Sequence, residues 1–396
     1  MGQKIFIGIS LFVHINALYF AIRLFFALVK TLRESKKILG RRLPINSKLS
    51  EDMEDETLCD PQDAISLESL GVKLPVDKLQ LLPVNEIIHA IILPNYKEDF
   101  DTLRTTISVL ASHPRAATQY EIYLAMEQKE TDAAEKAVKL ISAFEMRFGQ
   151  IQATFHPFGV PGEIAGKSSN AAYAAKHIID VHSRDDQSGE MDTMITVIDA
   201  DTHLLQDYFT EIQRLHFDDL VSPGQSFYSC PIIFDRNSAE TPVLVRCADL
   251  MWGFAGISAM YPGSPISIPT SVYTLPLSLA KKAGGWDSNA SAIGEDMHMM
   301  LKCYFAMGGN ITTRVVYSAA SQCNISADDN RGWRRTKDIL EARYRQALRH
   351  MWGALDTGFA IRKSVGSLTR PNWRLFFSWK QWALAHLLWE ALFHVT

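Results

Sequence analysis

The sequence predicts an α/β chain: a mainly parallel sheet with helices on both faces, preceded by a transmembrane helix and followed by an interfacial one. Three observations carry that reading. Short uninterrupted apolar runs alternate with helical stretches between residues 87 and 199, the pattern of buried parallel strands joined by crossover helices. Residues 5–22 read IFIGISLFVHINALYFAI, a run of membrane-spanning length. Residues 374–396 read RLFFSWKQWALAHLLWEALFHVT, with Trp379, Trp382 and Trp389 following Trp373, a composition that belongs at a membrane interface. The 396-residue chain is 47% hydrophobic and 21% charged, which excludes a disordered protein, a collagen-like repeat and a disulfide miniprotein. A net charge of −4 argues against nucleic acid as a partner, since a nucleic-acid binder carries a basic field. The five cysteines contain no C-x-x-C pair, so a zinc knuckle is unsupported and reduced thiols are expected.

From the N-terminus, residues 1–30 are read as the transmembrane or anchor segment, with the apolar run resuming after Arg23 as LFFALV. A cleaved signal peptide would need a basic start and a shorter apolar core. Only Lys4 precedes the run, whereas Lys30, Arg33, Lys36, Lys37, Arg41 and Arg42 follow it. The positive-inside bias then places the main domain in the cytosol. Residues 31–86 are read as a basic and then acidic linker, where SEDMEDE and Pro44, Pro61, Pro75 and Pro83 break any periodicity. Strands are expected at 87–93, 121–126, 151–157 and 194–199, with helices near 99–112, 131–147 and 167–181. These open a main domain over 87–355, and 356–396 is expected as an amphipathic segment at the membrane interface. In such a sheet the ligand sits beyond the carboxyl ends of the strands, so the residues after each strand are the candidates.

Those residues are chemically pointed. The first strand is followed by PNYKED, containing Glu98, and the fourth by Asp199-Ala200-Asp201-Thr202. Two carboxylates at i and i+2 past a buried strand suit one hard divalent cation and a diphosphate; the plain alternative is helix capping, which needs only one Asp. Gly162 to Asn170 reads GEIAGKSSN, which raises a P-loop-type phosphotransferase as a rival. Its spacing fails, because only three residues separate Gly162 from Gly166 and Pro161 offers no N–H. The remaining alternative there is a loop and helix start capped by Ser168 or Ser169. Gly294-Glu295-Asp296 opens a further helix. Its acids either complement the helix dipole or supply a general base for a sugar hydroxyl attacking an anomeric carbon. Arg343, Gln346, Arg349 and His350 share helical spacing in ARYRQALRHMWG, so several lie on one face, toward lipid or toward a site.

Taken in order, PNYKE, GKSSN, DADT, GED and QALRH resemble a membrane-associated glycosyltransferase of family 2, in the branch containing processive polysaccharide synthases. The likeness covers roughly residues 87–355. It implies a GT-A-like (Rossmann-like) fold, a nucleotide-sugar donor, a divalent metal (Mn2+ or Mg2+) and inversion at the anomeric carbon. By resemblance Asp199 and Asp201 match the D-x-D pair at the metal and donor diphosphate, with Glu98 and Lys167 also on the donor side. Asp296 matches the catalytic base, with Glu295 beside it facing the acceptor. Gln346 and Arg349 match the Q-x-x-R-W motif at the acceptor end, where His350 stands in place of the Trp. Trp352 would lie about 200° around a continuous helix and could not replace it. The acidic pair expected after the second strand is represented only by Glu127. The acceptor implied is a saccharide or a lipid-linked one, with membrane lipid as a further partner. A catalytically silent GT-A-fold membrane scaffold is the alternative.

Overall fold

The computed structural model describes residues 2–50, 87–183, 193–218, 223–326, 332–368 and 373–394. The acidic part of the expected linker, residues 51–86, lies outside the described residues, as does Cys59; Cys230, Cys247, Cys303 and Cys323 are free thiols. The first helix, α1 (Gly2–Ser50), continues well past the boundary expected at residue 30. The stretch from Lys30 onward is rich in good helix formers, and Gly40 alone does not stop it. The N-terminal half of α1 exposes Phe6, Leu11, Phe12 and Leu18, and Gly2–Arg41 is long and apolar enough to cross a membrane. The basic part is no free tether. Lys30 sits over the Tyr317 ring at 5.4 Å, Ser35 donates to the Tyr317 carbonyl at 2.7 Å, and Arg41 pairs with Glu211 at 2.6 Å.

The elements that follow are β1 (Ile88–Asn95), α2 (Phe100–Ala111), α3 (Ala116–Gln119), β2 (Tyr120–Glu127), α4 (Ala133–Phe144), β3 (Gln150–His156), α5 (Lys167–His182) and β4 (Thr193–Val197). Beyond them come α6 (Gln206–Phe217), β5 (Ser226–Ser229), β6 (Ile232–Phe234), α7 (Val243–Ser258), β7 (Tyr273–Pro276), α8 (Leu277–Ala283), α9 (Glu295–Ala306), β8 (Thr312–Val315) and β9 (Ala320–Gln322). The chain closes with α10 (Trp333–His350), α11 (Ala354–Leu368), α12 (Trp373–Phe376) and α13 (Trp379–His394). The main sheet has the order β3-β2-β1-β4-β7-β5-β8. It is parallel except at β7, which runs antiparallel to both β4 and β5. A short parallel pair, β6-β9, lies apart from it.

β1 reads as an unbroken apolar run because both of its faces are covered. Ile91 and Leu93 pack with Leu103, Ile107 and Leu110 of α2, Leu140 of α4 and Phe209 of α6. Ala90 and Ile92, pointing the other way, pack with Ala174 and Ile178 of α5 and with Met299 and Leu301 of α9. That second layer also contains Phe359 of α11 and Leu384, Leu387 and Leu388 of α13. The segment expected as a purely interfacial piece from residue 356 therefore shares the domain core, because α13 has an apolar stripe of its own. Its other face still exposes Trp379 and Trp382.

Two charged links hold the outer helices. Arg23 of α1 pairs with Glu390 of α13, both nearly fully buried, and His386 meets Asn16 at 2.7 Å. His298 of α9 lies between Asp356 Oδ1 at 2.6 Å and Asp287 Oδ2 at 3.0 Å. Burial opposes the imidazolium, but the hydrogen bonds to Asp287 and Asp356 outweigh it and raise its pKa to about 9. The same contact with His298 holds Asp287 down at about 2, whereas burial lifts Asp356 to about 6. Gly294 fits beside this clamp because a Cβ there would overlap Asp356 Oδ2.

The raised His298 pKa implies a stabilisation that is complete below its unfolded value near 6.5 and is lost as pH rises through about 9. The melting temperature in detergent should fall more steeply between pH 7 and 10 for the wild type than for His298→Gln; parallel curves would remove the clamp from the stability balance. For the other link, Glu390→Ala strands a buried guanidinium and should cost about 3–5 kcal/mol, while Arg23→Met with Glu390→Leu should recover most of that loss. A single variant as stable as the wild type in denaturant titration would dismiss the pair.

Candidate functional site

A cleft of about 1410 Å³ opens beyond the carboxyl ends of β1, β2 and β4. It brings together Glu98, Lys167, Asp199, Asp201, Glu295, Asp296, Gln346, Arg349 and His350, residues spread over some 250 positions of sequence. The sheet order explains the position. β1 is flanked by β2 on one side and β4 on the other, and the connections leaving such a switch point diverge to opposite faces, leaving a crevice.

The D-x-D pair follows β4 directly. Neither carboxylate caps a helix: α6 begins five residues later, and its first turn receives no side-chain cap. Lys167 Nζ reaches Asp199 Oδ1 at 2.7 Å, and Gln322 Nε2 donates to Asp199 Oδ2 at 3.2 Å. Asp201 Oδ2 accepts from the Cys323 backbone N–H at 3.1 Å. Burial, reinforced by the charge of Asp199, pushes the Asp201 carboxyl up to about 6. The same two causes raise Glu98, while its neighbour Asp99 turns away to cap α2 through the Asp101 and Thr102 N–H groups.

Lys167 is the hub. Besides Asp199 it meets Glu295 Oε2 at 3.1 Å. Burial disfavours the ammonium, but the charges of Asp199, Glu295 and Asp296 dominate and raise its pKa. An amine engaged in this way is not the free lysine of a P-loop. Nor does Ser168 or Ser169 cap α5; Ser169 Oγ donates to the Gly166 carbonyl at 3.0 Å. Glu295, expected to face the acceptor, turns inward instead. Its side chain is 3% exposed and also accepts from the Tyr273 hydroxyl, which Trp286 Nε1 holds at 2.7 Å. Asp296 is the carboxylate left toward the cleft. Its Oδ2 accepts from Ser271 N–H at 2.6 Å and its Oδ1 from its neighbour Met297 N–H at 2.8 Å. Ser271 reaches it from a left-handed backbone, φ 57°, a conformation that costs energy and concentrates at functional sites.

The third wall comes from α10. Arg343 donates to Gln346 Oε1 at 2.9 Å and pairs with Asp249 of α7 at 3.0 Å. Arg349 lines the cleft within electrostatic reach of Glu98. His350 stacks on Trp252 of α7, with centroids 4.6 Å apart and planes at 25°. Burial, with the nearby Arg343 charge, lowers its pKa, so the ring is neutral near pH 7. Trp352 also lines the cleft; it follows the end of α10 at His350, within a 3-10 turn over residues 351–353. Glu127 is buried against His156 and Lys129 on the donor side. Trp252, Asp249, Ser271, Tyr273 and Gln322 belong to this site without any pattern in the sequence marking them.

Asp199 and Asp201 suit a divalent cation. They are hard oxygen donors, and their mutual repulsion in a buried place, visible at Asp201, is what a cation relieves. Among the described residues no third His, Cys, Asp or Glu completes a metal cluster with them, which fits a magnesium-type ion bound by one or two carboxylates with substrate phosphates.

Among solved structures, a mannosyltransferase from Pyrobaculum calidifontis, PcManGT, in complex with GDP-Man and Mn2+, shares 13% identity over 96% of this chain and 84% of its own, with a TM-score of 0.44. TarS of S. aureus shares 10% identity over 68% of this chain and 42% of its own, with a TM-score of 0.38. No curated protein matches the chain. The family model described as glycosyl transferase family group 2 matches residues 194–396. That span is just over half of the chain and contains Asp199, Asp201, Glu295, Asp296 and the Gln346–His350 helix; the chain belongs to glycosyl transferase family group 2.

Proposed function

We propose that this glycosyltransferase is attached to a membrane, faces the cytosol, and moves a sugar from a nucleotide-sugar donor to a saccharide or lipid-linked acceptor with inversion. The observation that carries the reading is the convergence of Asp199, Asp201, Lys167 and Asp296 on one cleft at the switch point of the sheet. Asp199 and Asp201 would hold a divalent cation, which supplies charge neutralisation at the leaving diphosphate. Lys167 adds positive charge beside them and fixes Asp199 in place. Asp296 is the base: it takes the proton of the acceptor hydroxyl as the oxygen attacks the anomeric carbon in one in-line displacement. The Ser271 N–H aims this carboxylate and leaves it acceptor-only. Glu295 acts one step back, setting the position of Lys167 and, through its neighbour, of Asp296. Gln346 and Arg349 line the acceptor side.

A nucleotide-sugar panel scored for release of nucleoside diphosphate, with Mn2+ or Mg2+, tests the activity. With the donor that turns over, Asp296→Asn should lose at least ~10²-fold in kcat while keeping donor affinity, as expected for removal of a positioned base. Donor binding lost together with unchanged turnover of bound donor would reassign Asp296 to the metal or to structure. Asp201→Ala should abolish turnover and metal-dependent nucleotide binding in a folded protein; unchanged metal-dependent affinity removes it from that role.

The basic residues from Lys30 to Arg42 support the cytosolic orientation. A cysteine introduced at Glu135, exposed on α4, should react with an impermeant maleimide only from the cytosolic side of sealed vesicles. Labelling from the opposite side alone would invert the topology.

A further inference from the structure

The cleft does not stop at Asp296. Its wall continues past Asp249 and Trp252 of α7 to Leu387, Glu390, Ala391 and Leu392 of α13. This far lobe is tied to a defined depth. Glu390 pairs through Oε2 with Arg23, which ends the apolar run that begins at Ile5. Eighteen helical residues rise about 27 Å, close to the roughly 30 Å of bilayer hydrocarbon. With that run embedded, Arg23 stands at the hydrocarbon–headgroup boundary, and the Glu390 end of the cleft stands level with it.

The lobe is amphipathic in the sense such a place requires. Met351 and Trp352 line the cleft and are also exposed, and Leu250 and Met251 are exposed on the same turn of α7 as Asp249 and Trp252. An apolar rim of this kind, next to a membrane helix, fits contact with lipid. Two carboxylates in the interior are each paired on one side only, Asp249 with Arg343 and Glu390 with Arg23. Asp249 and Glu390 are each 4% exposed. Asp249 Oδ2 has no hydrogen-bond partner among the described residues, and neither has Glu390 Oε1, which lies 3.6 Å from His386 Nε2. A buried oxygen left in this state is costly. Two such oxygens are acceptors for O–H donors, the groups that a sugar head presents. The stacked Trp252–His350 pair adds a flat aromatic surface, the kind that packs on a sugar ring.

We propose that the lobe between α7, α10 and α13 receives the sugar head of a neutral glycolipid acceptor, whose apolar chain leaves over the α7–α13 rim into the lipid layer. This rests on the transferase reading above and names its acceptor class. In the reaction a hydroxyl oxygen of the glycolipid head forms the new bond to the anomeric carbon. The bond from that carbon to the diphosphate breaks with its electron pair on the departing nucleoside diphosphate, and the hydroxyl proton passes to Asp296.

The test uses the full chain in phosphatidylcholine nanodiscs with its active donor. Probes are methyl and hexadecyl glycosides of glucose, galactose, mannose and N-acetylglucosamine, and a polyprenyl monophosphate. For the accepted sugar the hexadecyl glycoside should exceed the methyl glycoside at least ~10-fold in kcat/KM, a modest return on a sixteen-carbon chain. Partitioning alone enriches the lipid probe, so the deciding readout is Ala391→Trp, which fills the lobe and should lower the hexadecyl-to-methyl ratio at least ~3-fold, together with Glu390→Gln, which should raise KM for the hexadecyl glycoside more than it lowers kcat. A ratio unchanged by Ala391→Trp, stimulation by none of the glycosides, or preference for the polyprenyl phosphate overturns the proposal. Metal-dependent donor hydrolysis in acceptor-free nanodiscs separates the two readings. Its presence with any of those results sinks only the glycolipid lobe; no donor hydrolysis and no transfer to any probe, with every donor, sinks the transferase reading and this proposal with it.

Discussion

The site depends on one shared ammonium. Lys167 starts α5, Asp199 follows β4 and Glu295 starts α9, so three segments with no local relation meet at a single partly buried ammonium. Two carboxylates brought together repel, and burial adds a penalty at Glu295. The lysine between them eases that penalty and fixes the distance between the D-x-D loop and the E-D helix. The rest of the machinery hangs from this point. Asp296 is next in sequence to Glu295, Tyr273 and Trp286 brace Glu295 from behind, and the His298 clamp secures the same helix one turn further on.

The legible part of this molecule was the part written in short range. β1 and β4 announce themselves because a strand buried on both faces is apolar nearly throughout, and the acids that follow them stand out by contrast. The mainly parallel sheet with helices on both faces could be read from that rhythm, and its GT-A-like form followed from the resemblance carried by the motifs. What could not be read is whatever depends on a side chain choosing among distant partners. Glu295 and Asp296 are adjacent acids at a helix start, and no spacing rule says that one turns inward to Lys167 while the other stays at the cleft. Trp252 sits mid-helix in an apolar stretch, like any core aromatic, until α10 brings His350 against it.

The membrane segments follow the same division. The apolar run Ile5–Ile22 stands out in the sequence, within a helix long and apolar enough to cross a membrane, and the aromatic content of α13 suggested an interface. Hidden from sequence was that the two helices are partners, so that the basic segment and α13 belong to the body of the enzyme. α1 packs on α7, α7 holds α10 through the Asp249–Arg343 pair, and α10 forms one wall of the cleft. If α1 is embedded as proposed, a short series of packed helices joins the bilayer to the cleft.

The Arg23–Glu390 pair has a further consequence in the order of synthesis. Its members lie 367 residues apart, so the arginine is made long before its counter-charge exists. β4 meets its antiparallel neighbour β7 only about eighty residues after it is made, as the pairing of Met194 with Pro276 requires, and long-range closure of this kind is slow. Throughout that interval the guanidinium must be accommodated by something other than Glu390, and a place at the headgroup boundary, where long cationic side chains reach water and phosphate, makes the wait tolerable. Docking of α13 then adds Leu384, Leu387 and Leu388 to the hydrophobic core and neutralises the arginine in one step. A chain that failed to fold its sheet would leave Arg23 unpaired and the cleft without its far wall.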